Sequence, residues 1–281
     1  MSAFERRQQP ADQAAEHRFD DQTDPRFVAY YARASLSPAT RERFTIVQRK
    51  VLSLLRARGY DGRPLRVCDI GCGAGTQARL WAEKGHRVCG IDVSRPLIEL
   101  ARQRAAEASL CIRFDIGTAT ALPYADRSFD VCLLPELLEH VPDWQACLHE
   151  AARVLDYGGV LYLSTTNALC PMQQEFNLPL YSWYPPFVKR RCERLAMTTR
   201  PALANYAKYP AVHWFTWYTL RDFLTQRGFE CFDRLDMVET DRLGVVLRLL
   251  VQAARVLAPL RFCAHVATEG TTVFAIKRAV S

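Results

Sequence analysis

The chain has 281 residues, 49% of them hydrophobic, and a formal net charge of +7. That length builds one large domain or two small ones, with ample apolar surface for a core. The positive excess invites a nucleic-acid or anionic-membrane partner, but the arginines are scattered and no nucleic-acid-binding motif lies among them, so no nucleic-acid partner is assigned.

Residues 1–24 are polar, read as a flexible N-terminus, and lack the apolar core of a signal peptide. From residue 25 to 58 apolar positions recur at helical spacing: Phe27, Tyr30 and Tyr31, then Phe44, Val47, Val51, Leu54 and Leu55, with a break at Ser37-Pro38. An alternation of strands and helices follows. Strands are expected at Leu65–Ile70, Arg87–Ile91, Leu110–Ile116, Phe129–Leu134 and Val160–Thr165. Helices are expected at Thr76–Lys84, from Ser94-Arg95-Pro96 to Glu107, and from Asp143 to about Leu155. Cys68, Cys89 and Cys132 fall inside strands as small hydrophobes, and no Cys-x-x-Cys pair exists among the ten cysteines. A reducing, cytoplasmic location is expected.

Residues 167–212 break the rhythm with Pro171, Pro179, Pro185, Pro186, Pro201 and Pro210, several aromatics, and the basic cluster Lys189, Arg190, Arg191 and Arg194. So long an irregular insertion is usually functional, and it reads as an acceptor-binding cap. A helix over Thr219–Arg227 and strands over Phe229–Met237 and Thr271–Arg278 complete a seven-stranded set. Between the last two strands, residues 243–260 are strongly apolar but carry Arg248 and Arg255. The stretch is too short and charged to span a bilayer; it either lies on a membrane surface or packs on the sheet. The β-α order gives an α/β fold: one doubly wound, mostly parallel sheet with helices on both faces, in a single domain over 25–281. Ligands in such sheets sit beyond the carboxyl ends of the strands.

At the first of those ends stands Asp69-Ile70-Gly71-Cys72-Gly73-Ala74-Gly75-Thr76. Glycines there let a backbone approach a ligand closely. The dinucleotide fingerprint would need Gly or Ala where Thr76 stands, and there is no phosphate-loop lysine. Asp92 ends the second strand, where a carboxylate can accept both ribose hydroxyl hydrogens. The pattern Asp-x-Gly-x-Gly-x-Gly resembles the first motif of the class I S-adenosylmethionine-dependent methyltransferases, a Rossmann-like family. The resemblance implies S-adenosylmethionine as cofactor, held by Asp69, Gly71, Cys72, Gly73, Gly75, Asp92, Val93, Thr118, Ala119 and Pro135, with residues 25–58 as a helical lid. Thr118 stands where the family's adenine-facing aspartate is expected, and Asp115 is the alternative.

The run Pro135-Glu136-Leu137-Leu138-Glu139-His140-Val141-Pro142 resembles that of the methyltransferases acting on ubiquinone precursors. As a helical turn it would set Glu136 and His140 on one face. The resemblance makes Glu136, Glu139 and His140 candidate ligands of a divalent cation or candidate general bases, Glu136 and His140 foremost; the same run also shapes pockets without metal. His213 is a further candidate base or a packed aromatic neighbour. These readings imply O-methylation of a bulky or amphiphilic hydroxyl acceptor: a prenylated phenol, or a lipid-linked or terminal sugar. Two rivals are a non-catalytic S-adenosylmethionine-binding protein and a nicotinamide-dependent oxidoreductase.

Overall fold

A computed structural model describes residues 25–204 and 210–279. The N-terminal stretch 1–24 lies outside the described residues, as do the side chains of Tyr30 and Tyr31. Two helices open the described chain, α1 (Pro25–Ala34) and α2 (Pro38–Arg56). The Ser37 hydroxyl caps α2 by accepting the Thr40 N–H, and Pro38 has no N–H to leave orphaned in the first turn.

The alternation then follows as β1 (Arg66–Ile70), α3 (Thr76–Ala82), β2 (Arg87–Asp92), α4 (Arg95–Glu107), β3 (Ile112–Ile116), β4 (Phe129–Pro135), α5 (Trp144–Val154) and β5 (Leu155–Thr166). The strands order as β3-β2-β1-β4-β5-β7-β6, where β6 is Phe229–Phe232 and β7 is Gly270–Lys277. β1 to β5 run parallel, and β7 is antiparallel to both its neighbours, β5 and β6. Alternate side chains of each strand enter different cores. Cys68 and Ile70 pack with α5 and with α7 (Trp217–Thr225), whereas Val67 packs with Val47 and Val51 of α2 and Trp81 of α3. The expected doubly wound sheet is present, and Cys68, Cys89 and Cys132 are buried in it as free thiols.

Three segments differ from expectation. The insertion is not simply irregular: it contains α6 (Pro186–Thr198), which carries Lys189, Arg190, Arg191 and Arg194. β6 is shorter than expected because Asp233 turns the chain, its Oδ1 accepting the N–H groups of Leu235 and Asp236. The apolar stretch is two helices, α8 (Val245–Val256) and α9 (Ala258–Val266), broken where Pro259 forces the preceding residues out of helical geometry.

Away from the strands' carboxyl ends, Asp130 gathers the start of β1. It accepts from Arg63 at 3.0 Å, Arg66 at 2.9 Å and the Arg66 backbone N–H at 2.7 Å. Burial alone would raise its carboxyl, but the hydrogen bonds from Arg66 and Arg63 outweigh it and hold it at about 2. A carboxyl depressed below its unfolded value adds stability above that value, and the gain is lost as pH falls through the folded one. Asp130→Asn is therefore expected to cost about 2 kcal/mol at neutral pH. The cost should shrink as pH drops from 4 towards 2, as read by urea unfolding.

Candidate active site

The glycine turn is a tight bend that no side chain would tolerate. Gly71 and Gly75 have φ of +74° and +75°. A Cβ at Gly71 would lie 2.8 Å from Leu137 Cδ1, and one at Gly75 would lie 2.9 Å from Ala101 Cβ. The turn leaves the first N–H groups of α3 without helical partners. Asp69, reaching up from β1, takes one of them: its Oδ2 accepts from the Ala78 N–H at 3.1 Å. Burial pushes the Asp69 carboxyl up to about 7.

Asp92 joins the turn to the next strand end. Its Oδ2 accepts the Gly73 N–H at 2.9 Å and its Oδ1 accepts the Ser94 N–H at 2.8 Å. Burial raises this carboxyl too, against those backbone bonds. The Gly117 N–H donates to the Asp92 carbonyl at 3.0 Å, which draws Thr118 and Ala119 beside Asp92 and Val93. The Thr118 hydroxyl bonds the Thr120 hydroxyl at 2.8 Å. The alternative, Asp115, faces elsewhere: it is buried between Arg113 Nε at 2.8 Å and the Tyr124 hydroxyl at 3.1 Å. Cys72 is buried behind the turn, and Leu137, just after Pro135, lies over Gly71. The ten candidate cofactor residues thus gather at the carboxyl ends of β1 to β4.

Three buried polar groups at this edge lack protein partners among the described residues: Asp69 Oδ1, the Gln77 amide and Ser94 Oγ. Buried polar groups without partners point to a polar ligand or water. Together with the two glycine positions that exclude a Cβ, they fit an S-adenosylmethionine cradle.

Beyond β4 the chain makes turns, not the helix expected for Glu136 to His140. Glu136 sits at φ +51°, so the spacing that would have stacked it with His140 does not apply. Its carboxylate pairs with Arg43 of α2. Glu139 turns inward, 1% exposed, and accepts the Thr165 hydroxyl at 2.7 Å on Oε2. Burial pushes this carboxyl up to about 7, more than the nearby His140 lowers it. His140 Nε2 stands 3.9 Å from Glu175 of the insertion. Among the described residues no three His, Cys, Asp or Glu side chains are placed to hold a metal ion. The divalent-cation reading of Glu136, Glu139 and His140 is therefore corrected: the left-handed Glu136 turns to Arg43 while Glu139 turns to Thr165.

Glu136 and Glu139 line a cavity of about 620 Å³, walled by α2, by β5 and β7, and by residues 173–175 of the insertion. Arg43, Lys50, Glu175, Arg234 and Glu269 bring further charge to its wall. Neither His140 nor His213 lines it. His213 Nε2 lies 3.1 Å from the Pro142 carbonyl, and its ring packs near Phe215. The sequence reading missed Arg43, Thr165 and Arg234, which no local motif marks; only the tertiary fold brings Arg43 to Glu136, Thr165 to Glu139 and Arg234 to the same cavity wall.

A family described as "Methyltransferase domain" matches residues 68–163, from β1 through most of β5. Over these residues, about a third of its length, the chain is similar to that methyltransferase family. A ubiquinone biosynthesis O-methyltransferase of Chelativorans sp. is 37% identical over 111 residues, 40% of this chain and 43% of that protein. The enzyme of that name from Brucella anthropi is 38% identical over 110 residues, 39% of this chain and 44% of that protein. The chain thus spans less than half the length of the curated relatives it matches. Among solved structures, a phosphoethanolamine N-methyltransferase of Haemonchus contortus superposes with a TM-score of 0.57 at 15% identity, covering 93% of this chain and 60% of that one. The YcgJ protein of Bacillus subtilis gives 0.52 at 17% identity, covering 83% and 100%. Both share the fold. The methyltransferase domain holds the glycine turn, Asp92 and Glu139, whereas α2, the insertion and α8–α9 lie outside the matched residues.

Proposed function

We propose that this chain transfers a methyl group from S-adenosylmethionine to a hydroxyl of a bulky or amphiphilic acceptor held in the cavity. The observation that carries this reading is the buried Glu139 carboxyl, pushed up to about 7 on the wall of a cavity that opens beside the carboxyl ends of β4 and β5. Asp69, Gly71, Cys72, Gly73, Gly75 and Asp92 hold the donor, with Val93, Thr118, Ala119 and Pro135 around it. When bound, that donor supplies an activated methyl group on a positively charged sulfur. The chain's residues align the acceptor oxygen with it, a contribution worth up to roughly 7–11 kcal/mol. As the acceptor oxygen takes the methyl group and the sulfur keeps the electron pair of its broken bond to carbon, the hydroxyl proton would pass to the Glu139 carboxylate. Thr165, by donating to Oε2, stabilises that carboxylate. Glu136, bound to Arg43, and His140 beside Glu175 help to set the electrostatics around Glu139.

The names of the relatives support a hydroxyl acceptor of the prenylated-phenol kind, and the mixed apolar and charged wall, with Tyr162 and Phe274 beside Arg43 and Lys50, suits an amphiphile or a glycan carried on one. No nucleic-acid partner is proposed, because Arg63, Arg66, Arg153 and Arg261 are occupied by Asp or Glu within the fold. Ten cysteines, all free, support a reducing compartment; no helix among the described residues is long and apolar enough to cross a membrane. The test is incubation with methyl-labelled donor and cell lysate split into membrane and aqueous fractions. Label is expected in an organic-soluble ether product. Label confined to small polar metabolites overturns the acceptor class, and no label in any fraction overturns catalysis.

A further inference from the structure

The wall of the cavity is not evenly charged. On α2 the lining residues Ala39, Arg43, Ile46 and Lys50 follow a three-and-four spacing and so share one face of the helix. Arg43 stands at one end of the cavity, bound to Glu136, whose backbone N–H donates to the Ser164 carbonyl at 2.8 Å. Lys50 stands two turns further along α2, about 10 Å away, with its Nζ 6.0 Å from the centre of the Phe274 ring. Phe274 pairs with Tyr162 of β5 and with Phe232 of β6. Arg234 comes just after Phe232 and reaches the cavity from the same end.

The two ends are balanced differently. Around Glu139 each carboxylate has a neighbour: Glu136 has Arg43, Glu139 has Thr165, Glu175 has His140 at 3.9 Å, and Glu269 accepts the Gln174 amide at 3.1 Å. At the Phe274 end, Lys50 and Arg234 form no hydrogen bond or ion pair among the described residues. Burial lowers the Lys50 ammonium, and the charges of Arg234 and Arg49 lower it further. Glu239, whose charge also reaches Lys50, is paired with Arg49 at 3.6 Å. Glu42, also on the wall, lies about 12 Å from Lys50 along α2. Two cations held together without a counter-charge repel one another, and an anion between them removes that cost.

We infer that Lys50 and Arg234 form an oxyanion subsite, and that the acceptor carries a carboxylate or phosphate ester about 10 Å from the hydroxyl that is methylated. Two elements give that span. It is the distance along α2 from Arg43 to Lys50, and β5 repeats it: Thr165, which holds Glu139, is three residues from Tyr162, about 10 Å of strand. Arg234 brings a planar fork that matches either oxyanion, and Lys50 a point charge. Tyr162 and Phe274, with ring centres 5.0 Å apart, give the body of the acceptor an aromatic bed beside them. The donor's own carboxylate is not this anion, because Phe274 on β7 lies three strands from the glycine turn, about 14 Å across the sheet. Assigning the anion to the acceptor rests on reading the cavity as the acceptor site; the anion subsite itself does not.

The subsite is tested by ligand-observed NMR titration of the full chain with phenylacetate and phenyl phosphate, against neutral phenylethanol. One or both anions are expected to bind at least about tenfold more tightly than the alcohol. Lys50→Met and Arg234→Met should each weaken the anion by about tenfold and leave the alcohol unchanged, a split that mere loss of packing would not produce. Lys50→Arg should keep the preference, as should Lys84→Met, outside the cavity. Equal binding of the three probes, no binding at all, or methionine variants that retain the preference overturn the subsite. The acceptor is tested on the labelled product of the lysate incubation, passed over an anion-exchange resin. Retention is expected; release by alkaline phosphatase then marks a phosphate ester, and resistance to it a carboxylate. A labelled product that passes straight through overturns the anionic acceptor while methyl transfer stands. Absence of label in every fraction sinks methyl transfer instead, and the titration still decides the subsite.

Discussion

Asp92→Ala is expected to weaken S-adenosylhomocysteine binding by about two orders of magnitude, read by titration calorimetry. The residue does two things at once. Its two oxygens clamp the Gly73 and Ser94 N–H groups, which fixes the glycine turn against the start of α4. Its remaining lone pairs are the acceptors proposed for the ribose hydroxyls. Hydrogen bonds to a charged group are worth roughly 1.5–3 kcal/mol each, and one such bond lost at the upper end of that range already gives about a hundredfold. Asp92→Asn separates the two roles. The amide keeps the volume and one acceptor but presents an N–H₂ group to a backbone donor, so it should bind more weakly than wild type and no better than partly restored over alanine. A merely structural Asp92 would show a lowered melting temperature with near-normal affinity in the protein still folded, and that result would sink the assignment. Burial raises the Asp92 carboxyl from its ordinary value, so ligand binding should also weaken as pH falls and the group takes up a proton.

The half of the molecule that surrounds Asp92 was legible in the sequence because its signals are local. A strand of buried residues, three glycines at alternate positions and an acid at the next strand end need no tertiary information to interpret. Asp69 was singled out from its place before the turn, but its visible task in the fold, capping α3 through the Ala78 N–H, follows from three-dimensional closeness. The loop after β4 was not legible. Spacing alone put Glu136 and His140 on one helical face, yet the chain turns left-handed at Glu136 and sends Glu139 inward to Thr165. Tertiary burial of Leu138 and Glu139 overrides the local preference there. The antiparallel direction of β7 was likewise hidden, since an apolar strand reads the same both ways. The α8–α9 break did carry a signal, Pro259, which the apolar run masked.

Glu139→Gln should lower turnover by about 10²–10⁴-fold, the range for loss of one proton acceptor, while leaving affinity for the cofactor product unchanged. Glutamine keeps the shape and can still accept the Thr165 hydroxyl, but it cannot take a proton from the acceptor. In the wild type the carboxyl sits at about 7 because burial disfavours its charge. It is mostly protonated below that pH, so kcat/KM should rise as pH increases through about 7 and then level. The variant should lose this rising limb. Thr165→Val removes a hydrogen bond that favours the charged form, so its rising limb should move to higher pH, a displacement that a purely structural Thr165 would not produce. The same raised value has the opposite sign for stability. Between the unfolded carboxyl near 4.5 and the folded one at about 7, the folded protein binds more protons than the unfolded chain. Stability contributed by this site therefore falls as pH rises through that window, and Glu139→Gln should be at least as stable as wild type at pH 8. A variant that is more stable yet nearly inactive is the signature of a group kept for chemistry; one that turns over within threefold of wild type would remove Glu139 from the reaction.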